Sequence, residues 1–566
     1  MTDDLPRPWL DHYEKGVPRT IDVPDRRLPV SVEASVHRWP KRTALLHYGA
    51  RWSYERLWDE SGRFAAALRR EGFRAGDRLA LYLPNCPAYP IAYLGALRLG
   101  VVIVQVSPLY IGQDLARLLQ DADPKGIVTL EILHPNLAKL GNGAKVPVVF
   151  VARLREFYPA TKRPFVNLVL RRRGYSTKFP SDPAVRRWKA AVRDPGEFSP
   201  ASGPSTAVAV LQYTGGTTGR PKAAMLSHRN LLANALQCEA WFQAEPGTAT
   251  VLAAIPFFHI YGLTVALNYP LLIGATIVLE TRPDPSEILR LIERYHPTQF
   301  PGVPALYQAI NRHPKVGRFD IRSIEVCLSG SAPLPVEVAR RFEELTGGYL
   351  IEGYGLTEAS PVTHANPIRG GRRSGSVGLP FPNTDQRVVD AETGTRTLGV
   401  NEPGELVIRG PQVMLGYYGQ PEETALVLRD GWLYTGDIAT IDADGYAYVV
   451  DRKKDLIDVG GFKVYPREVE EVLYQHASVA EAAVIGVPDE ILGEVVQAFV
   501  VRKPGQSASA DELILFVRER IAHYKAPRTV EFRTALPRSG VQKVLRRVLR
   551  EEAAGVPRAA EVTGLD

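Results

Sequence analysis

Over the first 450 residues, short apolar runs alternate with stretches of helical periodicity. That alternation limits the chain to α/β architectures built on a largely parallel sheet. Strand-like runs fall at 78–83, 101–106, 146–151, 208–213, 275–279 and 325–328. Helix-like stretches fall at 54–71, 90–99, 114–121, 228–242, 285–295 and 335–346. From Gly404 the pattern changes to short strands and glycine turns (405–409, 446–450), which predicts a smaller β-rich lobe. The charged run Asp451-Arg452-Lys453-Lys454-Asp455 then precedes a compact pattern of helix 466–475, strands 480–487 and 496–502, helix 510–523 and strand 529–532. The expected fold class is α/β. A large, multi-lobed N-terminal domain of mixed sheets and helices spans 1–450, a hinge 451–455, and a small mobile α+β domain 456–566.

Three widely spaced cysteines, Cys86, Cys238 and Cys327, exclude a disulfide framework and a cysteine-rich zinc site. Residues 1–15 offer neither a basic n-region nor an apolar h-region, so a secretory signal is not expected and a cytoplasmic location is. The most apolar stretches are cut by Pro84, Pro87, Pro90, Arg98, Asn268 and Pro270. None gives the ~20 uninterrupted apolar residues of a spanning helix. The chain holds no GxSxG elbow, no GxGxxG and no HExxH, which leaves serine hydrolase, standard dinucleotide and zincin readings without support.

The formal charge of +7 is unevenly placed. Residues 153–193 carry twelve Lys and Arg against Glu156 and Asp182, a local balance of +10, so the rest of the chain stands at −3. Phe157, Tyr158, Phe165, Leu168, Val169, Tyr175, Phe179 and Trp188 are interleaved with these cations. Such a mixture suits peripheral contact with an anionic membrane, and by its chemistry also a phosphate backbone or plain solvent.

The densest chemical signal is 211–222. An apolar strand runs into Thr214, Gly215, Gly216, Thr217, Thr218 and Gly219, and Lys222 follows. Glycines let successive backbone N–H groups converge, threonine hydroxyls add donors, and the lysine adds a point charge, which together make a phosphate cradle. Composition alone leaves an ordinary Gly/Thr loop equally open. The spacing is not that of a Walker A loop, and Pro221 blocks a helix there. Three later motifs are of similar kind. Gly330-Ser331-Ala332 lets a flat ring approach the backbone. The run Glu352-Gly353-Tyr354-Gly355-Leu356-Thr357-Glu358 offers an aromatic platform, a hydroxyl and a carboxylate. Tyr434-Thr435-Gly436-Asp437 predicts an exposed carboxylate on a turn, suited to a ribose diol. Each alone also reads as a common turn.

At these residues, over roughly 31–550, the chain resembles the adenylate-forming superfamily of acyl-CoA synthetases, firefly luciferase and nonribosomal adenylation domains. The runs 213–230 and Phe257-Phe258-His259-Ile260-Tyr261-Gly262 look most like bacterial long-chain fatty-acid CoA ligases. The resemblance implies ATP, Mg²⁺ and coenzyme A, with a fatty acid activated to acyl-AMP and then passed to the thiol. It implies that residues 214–219 and Lys222 hold the phosphates, that Gly330, Ser331, Ala332 and Tyr354 frame the adenine, and that Glu352, Gly353 and Gly355 belong to the same nucleotide site. Thr357 would meet the α-phosphate, Glu358 the Mg²⁺, and Asp437 and Arg452 the ribose. Lys543 matches the mobile catalytic lysine, Lys454 the hinge, and Gly460, Gly461 and Phe462 the thiol tunnel. His259 would act as gate or orienter of the pocket. Asn234, Trp241, Phe258, His259, Gly262, Gly302 and Val303 would line the acyl pocket, where small residues leave room for an elongated tail. Two departures stand out: Ala223 replaces a usual glycine, and Gln542 replaces the glycine before the mobile lysine. The alternatives are transfer to a carrier protein, or a medium-chain or aryl acid substrate. No nucleic-acid partner is expected, and a homodimer is a compatible assembly.

Overall fold

The computed structural model describes residues 6–141, 144–176, 178–214, 222–538 and 544–555. The chain divides into two compact units. The first comprises residues 1–385 and 409–433, the second 386–408 and 434–566.

The first unit holds a seven-stranded sheet in the order 185–187, 148–152, 126–130, 78–82, 102–106, 208–214 and 222–227. Every neighbouring pair is parallel except the last, where Val208–Thr214 returns as the hairpin partner Lys222–Ser227. The burial pattern explains the near-continuous apolar runs. Val102–Val106, Gly126–Leu130 and Val148–Ala152 are buried at every position, as strands covered on both faces must be. The crossover helices include Tyr54–Arg70, Ala88–Leu99 and Gly112–Ala122, which lie within two residues of the stretches read from periodicity.

A second sheet runs Ala50–Ser53, Thr43–His47, Thr276–Leu279, Thr250–Ala253. It continues through Gln299, which bridges Val251 and Val326 in parallel, into Val326–Ser329, Tyr349–Gly355, Val362–Ala365 and Leu379–Pro380. The parallel strands of this sheet end at Ala253, Leu279, Ser329 and Gly355. The edge beyond those carboxyl ends is where open α/β sheets bind ligands.

The second unit contains a sheet formed by Ile457–Val459, Phe462–Val464, Val479–Asp489, Gly493–Arg502 and Thr529–Arg533, with helices Pro466–Tyr474 and Ala510–Arg518. The second helix stops five residues short of the stretch 510–523 expected from the sequence; Ser509 and Glu512 close its start as a capping box. Val464, Val469, Leu473, Val484, Val496, Val500 and Leu513 form the core. All three cysteines are free and buried. Among the described residues, no helix is long and apolar enough to cross a membrane.

Candidate active site

Thr214 and Lys222 face each other across the neck of the hairpin, where the Thr214 hydroxyl donates to the Lys222 carbonyl at 3.3 Å. The phosphate loop expected between them, Gly215, Gly216, Thr217, Thr218 and Gly219, lies outside the described residues, as does Lys543.

A single segment of chain joins Lys222 to the carboxylate expected to hold the metal. Residues 415–418 run along the open edge of Lys222–Ser227: the Met225 N–H donates to Gly416, Leu415 to Met225, and Tyr418 to Ala223. The Met414 N–H donates to the Glu358 carbonyl at 2.7 Å. Tyr417 is thereby fixed beside both side chains. Its hydroxyl donates to Glu358 Oε1 at 2.7 Å, and Lys222 Nζ lies 5.4 Å from its ring centroid. The ammonium also pairs with Glu423 at 2.6 Å, from the first turn of helix Pro421–Val427. Burial, then the Glu358 charge, pushes the Tyr417 phenol well above its ordinary value, so it stays a donor. Tyr417 and Glu423 were not singled out from sequence. The acidic pair Glu422-Glu423 after a proline reads as a helix start, and nothing local says which lysine it meets.

The carboxyl ends of the second sheet gather the remaining first-unit candidates. His259 is half-buried and caps the short helix Ile260–Leu263, its Nδ1 accepting from the Tyr261 N–H at 3.3 Å. That contact leaves Nδ1 as an acceptor and suits an orienting role. Tyr261, within the same aromatic run, is buried. Its hydroxyl donates to the Leu328 carbonyl at 2.6 Å, and its ring lies against Gly330, where an added Cβ would approach to 3.3 Å. Gln212 Nε2 donates to the Phe258 carbonyl at 3.0 Å and so ties the strand feeding the phosphate loop to the aromatic run. Ser331 holds φ +70, a left-handed turn at the strand end that a non-glycine residue adopts only when its surroundings impose it. Ala332 is exposed beside it, and the Glu352 carboxylate accepts from the Leu334 N–H at 3.3 Å. Tyr354 is half-buried with its ring edge-on to His364 at 5.8 Å, and Thr357 opens the turn that carries Glu358. Gly353 and Gly355 leave no space for a side chain: a Cβ would come within 2.6 Å of Leu328 and 2.1 Å of the Pro361 carbonyl.

Gly262 and Gly302 are likewise held at close approaches. A Cβ on Gly262 would lie 2.1 Å from the Pro256 carbonyl, and one on Gly302 2.6 Å from the Tyr307 ring. Val303 is the half-buried N-cap residue of helix Pro304–Asn311. Asn234 and Trp241 lie on helix His228–Phe242 and are committed to its packing. The Asn234 amide exchanges hydrogen bonds with Val362, and Trp241 donates to the Asn366 carbonyl while stacking on Phe381 at 4.8 Å.

In the second unit Asp437 and Arg452 are cross-strand partners, with Nε to Oδ1 at 3.3 Å. The sequence placed Asp437 exposed on a turn. It sits instead within strand Trp432–Ile441 and is 6 % exposed, because Gly436 (φ +71) passes the turn signal without ending the strand. Lys454 is exposed in the turn after strand Ala447–Arg452. Gly460 (φ +60) and Gly461 (φ +89) make the two-residue hairpin turn between Val459 and Phe462, a geometry that demands positive φ at both positions. Phe462 is 61 % exposed, with its ring 5.0 Å from Tyr524.

Among the described residues no cluster of His, Cys, Asp or Glu forms a dedicated metal cage. Glu358 alone, one oxygen engaged by Tyr417 and the other without a partner among the described residues, fits Mg²⁺, which is commonly held by one or two carboxylates together with substrate phosphates.

Lys222 on the hairpin strand, Tyr417 and the Glu358 carboxylate thus stand together, an arrangement suited to a nucleotide and its metal. The model of the AMP-binding enzyme family matches residues 32–418, that of the AMP-binding enzyme C-terminal domain matches 468–543, and the chain belongs to this family, as an acyl-CoA synthetase of the adenylate-forming superfamily. It is 43% identical over 550 residues to a long-chain-fatty-acid–CoA ligase of Bacillus subtilis, covering 96% of this chain and 98% of that one. Among solved structures, ATP-bound MatB from Rhodopseudomonas palustris matches with a TM-score of 0.79 at 30% identity, over 94% of this chain and 99% of that one. The anthranilate CoA ligase AuaEII, in complex with anthranoyl-AMP, matches with a TM-score of 0.82 at 26% identity, over 94% and 98%.

Proposed function

We propose that this chain activates a long-chain fatty acid with ATP, releasing pyrophosphate, and then transfers the acyl group from AMP to the thiol of coenzyme A, releasing AMP. The observation that carries the proposal is the convergence of Lys222, Tyr417 and Glu358 beside the hairpin of the phosphate loop, in a chain similar along nearly its whole length to a ligase of that name. A carboxylate is a poor electrophile, and its attack on a phosphate brings two anions together. Lys222 and the charge of Lys543 would neutralise that encounter. Bound Mg²⁺, held by Glu358, would supply the remaining charge on the phosphate oxygens. Thr214, Thr357 and residues 215–219 would orient the phosphates, and Asp437 with Arg452 the ribose. Residues 1–450 would form the adenylating body. Rotation about 451–455, pivoting at Lys454, would exchange Lys543 for the Gly460–Gly461–Phe462 face that admits the thiol. Exposure of Phe462 supports that assignment, since an aromatic ring held largely in the open at a tight turn is suited to meeting a ligand. The same reading includes peripheral contact with an anionic membrane through residues 153–193.

Pyrophosphate release measured against acids from short to long chain and against aryl acids, with and without coenzyme A, tests the proposal. Long chains should be preferred, and AMP release should require coenzyme A. Preference for aryl acids would replace the substrate, and AMP release dependent on an acyl carrier protein would replace the acceptor.

A further inference from the structure

Residues 153–193 are not uniformly a surface. Phe157 and Trp188 are buried, and Phe179 lies between the Arg153 and Arg187 guanidiniums, 5.1 and 4.8 Å from its ring centroid. Phe157 against Trp52 and Trp188 against Phe64 fasten the segment to the protein, while the Phe179 sandwich braces it from within. Tyr158 adds to the anchor by stacking on Tyr48 with ring planes 7° apart, and Lys162 donates to the Tyr48 carbonyl at 3.1 Å.

The longest regular element of the segment that faces outward is helix Arg163–Arg172. Pro164 occupies its first turn, and Gly174 (φ +79) ends it, with the Tyr175 N–H returning to the Leu170 carbonyl. Only Leu170 on this helix is buried, with Val166 and Asn167 beside it half-covered. The opposite face presents Phe165 at 69 %, Leu168 at 46 % and Val169 at 48 % exposure, the i, i+3, i+4 spacing of one stripe. Arg172 and Arg173 follow at its end, exposed and without an ionic partner among the described residues, while Lys162 and Arg163 are exposed at its start. An apolar stripe flanked by cations, within a segment of net charge +10, is complementary to a surface that is apolar within and anionic at its boundary.

We propose that helix Arg163–Arg172 is the element that docks on an anionic phospholipid bilayer, inserting Phe165, Leu168 and Val169 between headgroups that Lys162, Arg163, Arg172 and Arg173 engage. This rests on the reading of 153–193 as membrane-facing, and it narrows that reading to one face. Because a long-chain acid partitions into a bilayer, docking there brings the enzyme to the phase that holds its substrate.

The test is co-sedimentation of the full chain with phosphatidylcholine vesicles, with and without phosphatidylglycerol, at low and high salt. The wild type should be retained only by the anionic vesicles and released by salt. Phe165→Ser/Leu168→Ser/Val169→Ser should lower retention by on the order of tenfold or more. Arg172→Glu/Arg173→Glu should abolish the difference between the two vesicle types. Both variants should keep wild-type pyrophosphate release from a detergent-dispersed acid, which shows that they fold. If wild type binds but the serine variant binds equally, the helix face is wrong while the segment reading stands. If wild type ignores anionic vesicles, both are wrong. Retention displaced equally well by nucleic acid, or a dimer that the serine variant dissolves, would assign the face to another partner and overturn the proposal.

Discussion

The ion pair at Lys222 and the clamp at Arg546 use the same residue types in opposite ways. In the first unit, Lys222 has one carboxylate partner among the described residues, Glu423, whose side chain is 40 % exposed. In the second unit, Arg546 reaches both Glu470 oxygens at 2.8 Å, Asp455 at 3.4 Å and Asp451 at 3.8 Å, and Arg550 adds Asp455 at 2.7 Å. The three acids are buried. One contact is a single, partly exposed pair; the other shares Arg546 among three buried acids and Asp455 between two arginines. The clamp also spans the region of the expected pivot, since Asp451 and Asp455 bracket residues 452–454 and Arg546 lies three residues past Lys543 in the chain. In this structure the network ties residues 451 and 455 to helix Arg546–Ala553.

Arg546→Ala should give the largest effect. It leaves buried carboxylates uncompensated and should cost about 3–5 kcal/mol in denaturant unfolding. A loss below about 1 kcal/mol would place this clamp with ordinary surface pairs. Acid probes the same network. Burial raises the Asp455 carboxyl, but the hydrogen bond from Arg550 and the charges of Arg546 and Arg550 outweigh it and hold the group below the usual range. The folded pKa is thus lower than the unfolded one, so Asp455 stabilises above about pH 4 and loses that contribution as the pH falls. The stability gap between wild type and Asp455→Asn should therefore close on acidification. A gap that stays constant would deny the clamp its charge.

Lys222→Ala should lower the rate of pyrophosphate release on the order of 10²–10³. Its melting temperature should barely move, because the pair it loses is partly exposed. A large stability loss would make Lys222 a structural residue like Arg546. The smallest effect sharpens the contrast. Glu423→Gln removes the anion that competes with the triphosphate, so the KM for ATP should fall by a factor of roughly 1.4–5 with kcat unchanged. An increase would mean that Glu423 positions Lys222 for the nucleotide instead of competing with it.

Much of the fold was legible because parallel strands covered on both faces are written as unbroken apolar runs such as 102–106 and 148–152, and amphipathic helices such as 285–295 carry their period openly. The motif residues on strand ends, Gly330 to Ser331 and Glu352 to Glu358, were also visible, because glycine at close approaches leaves a mark. What was not visible depended on contacts distant in sequence. Tyr417 and Glu423 lie about two hundred residues from Lys222, and Arg546 meets Glu470 only through folding of the second unit. Asp437 misled because Gly436 looks like a turn while antiparallel pairing with Arg452 keeps the strand intact. At Gly262 and Gly302 size alone left out the close contacts with Pro256 and Tyr307 that a side chain would break.

The central claim is that one site performs two half-reactions, with Lys543 needed for the first alone. A rapid-quench comparison of wild type and Lys543→Ala, following acyl-AMP formation from ATP and palmitate and, separately, thioester formation from supplied palmitoyl-AMP and coenzyme A, tests it most directly. The account predicts adenylate formation reduced on the order of 10²–10³ with thioester formation near wild type. Equal loss of both steps, or no loss of the first, would contradict it.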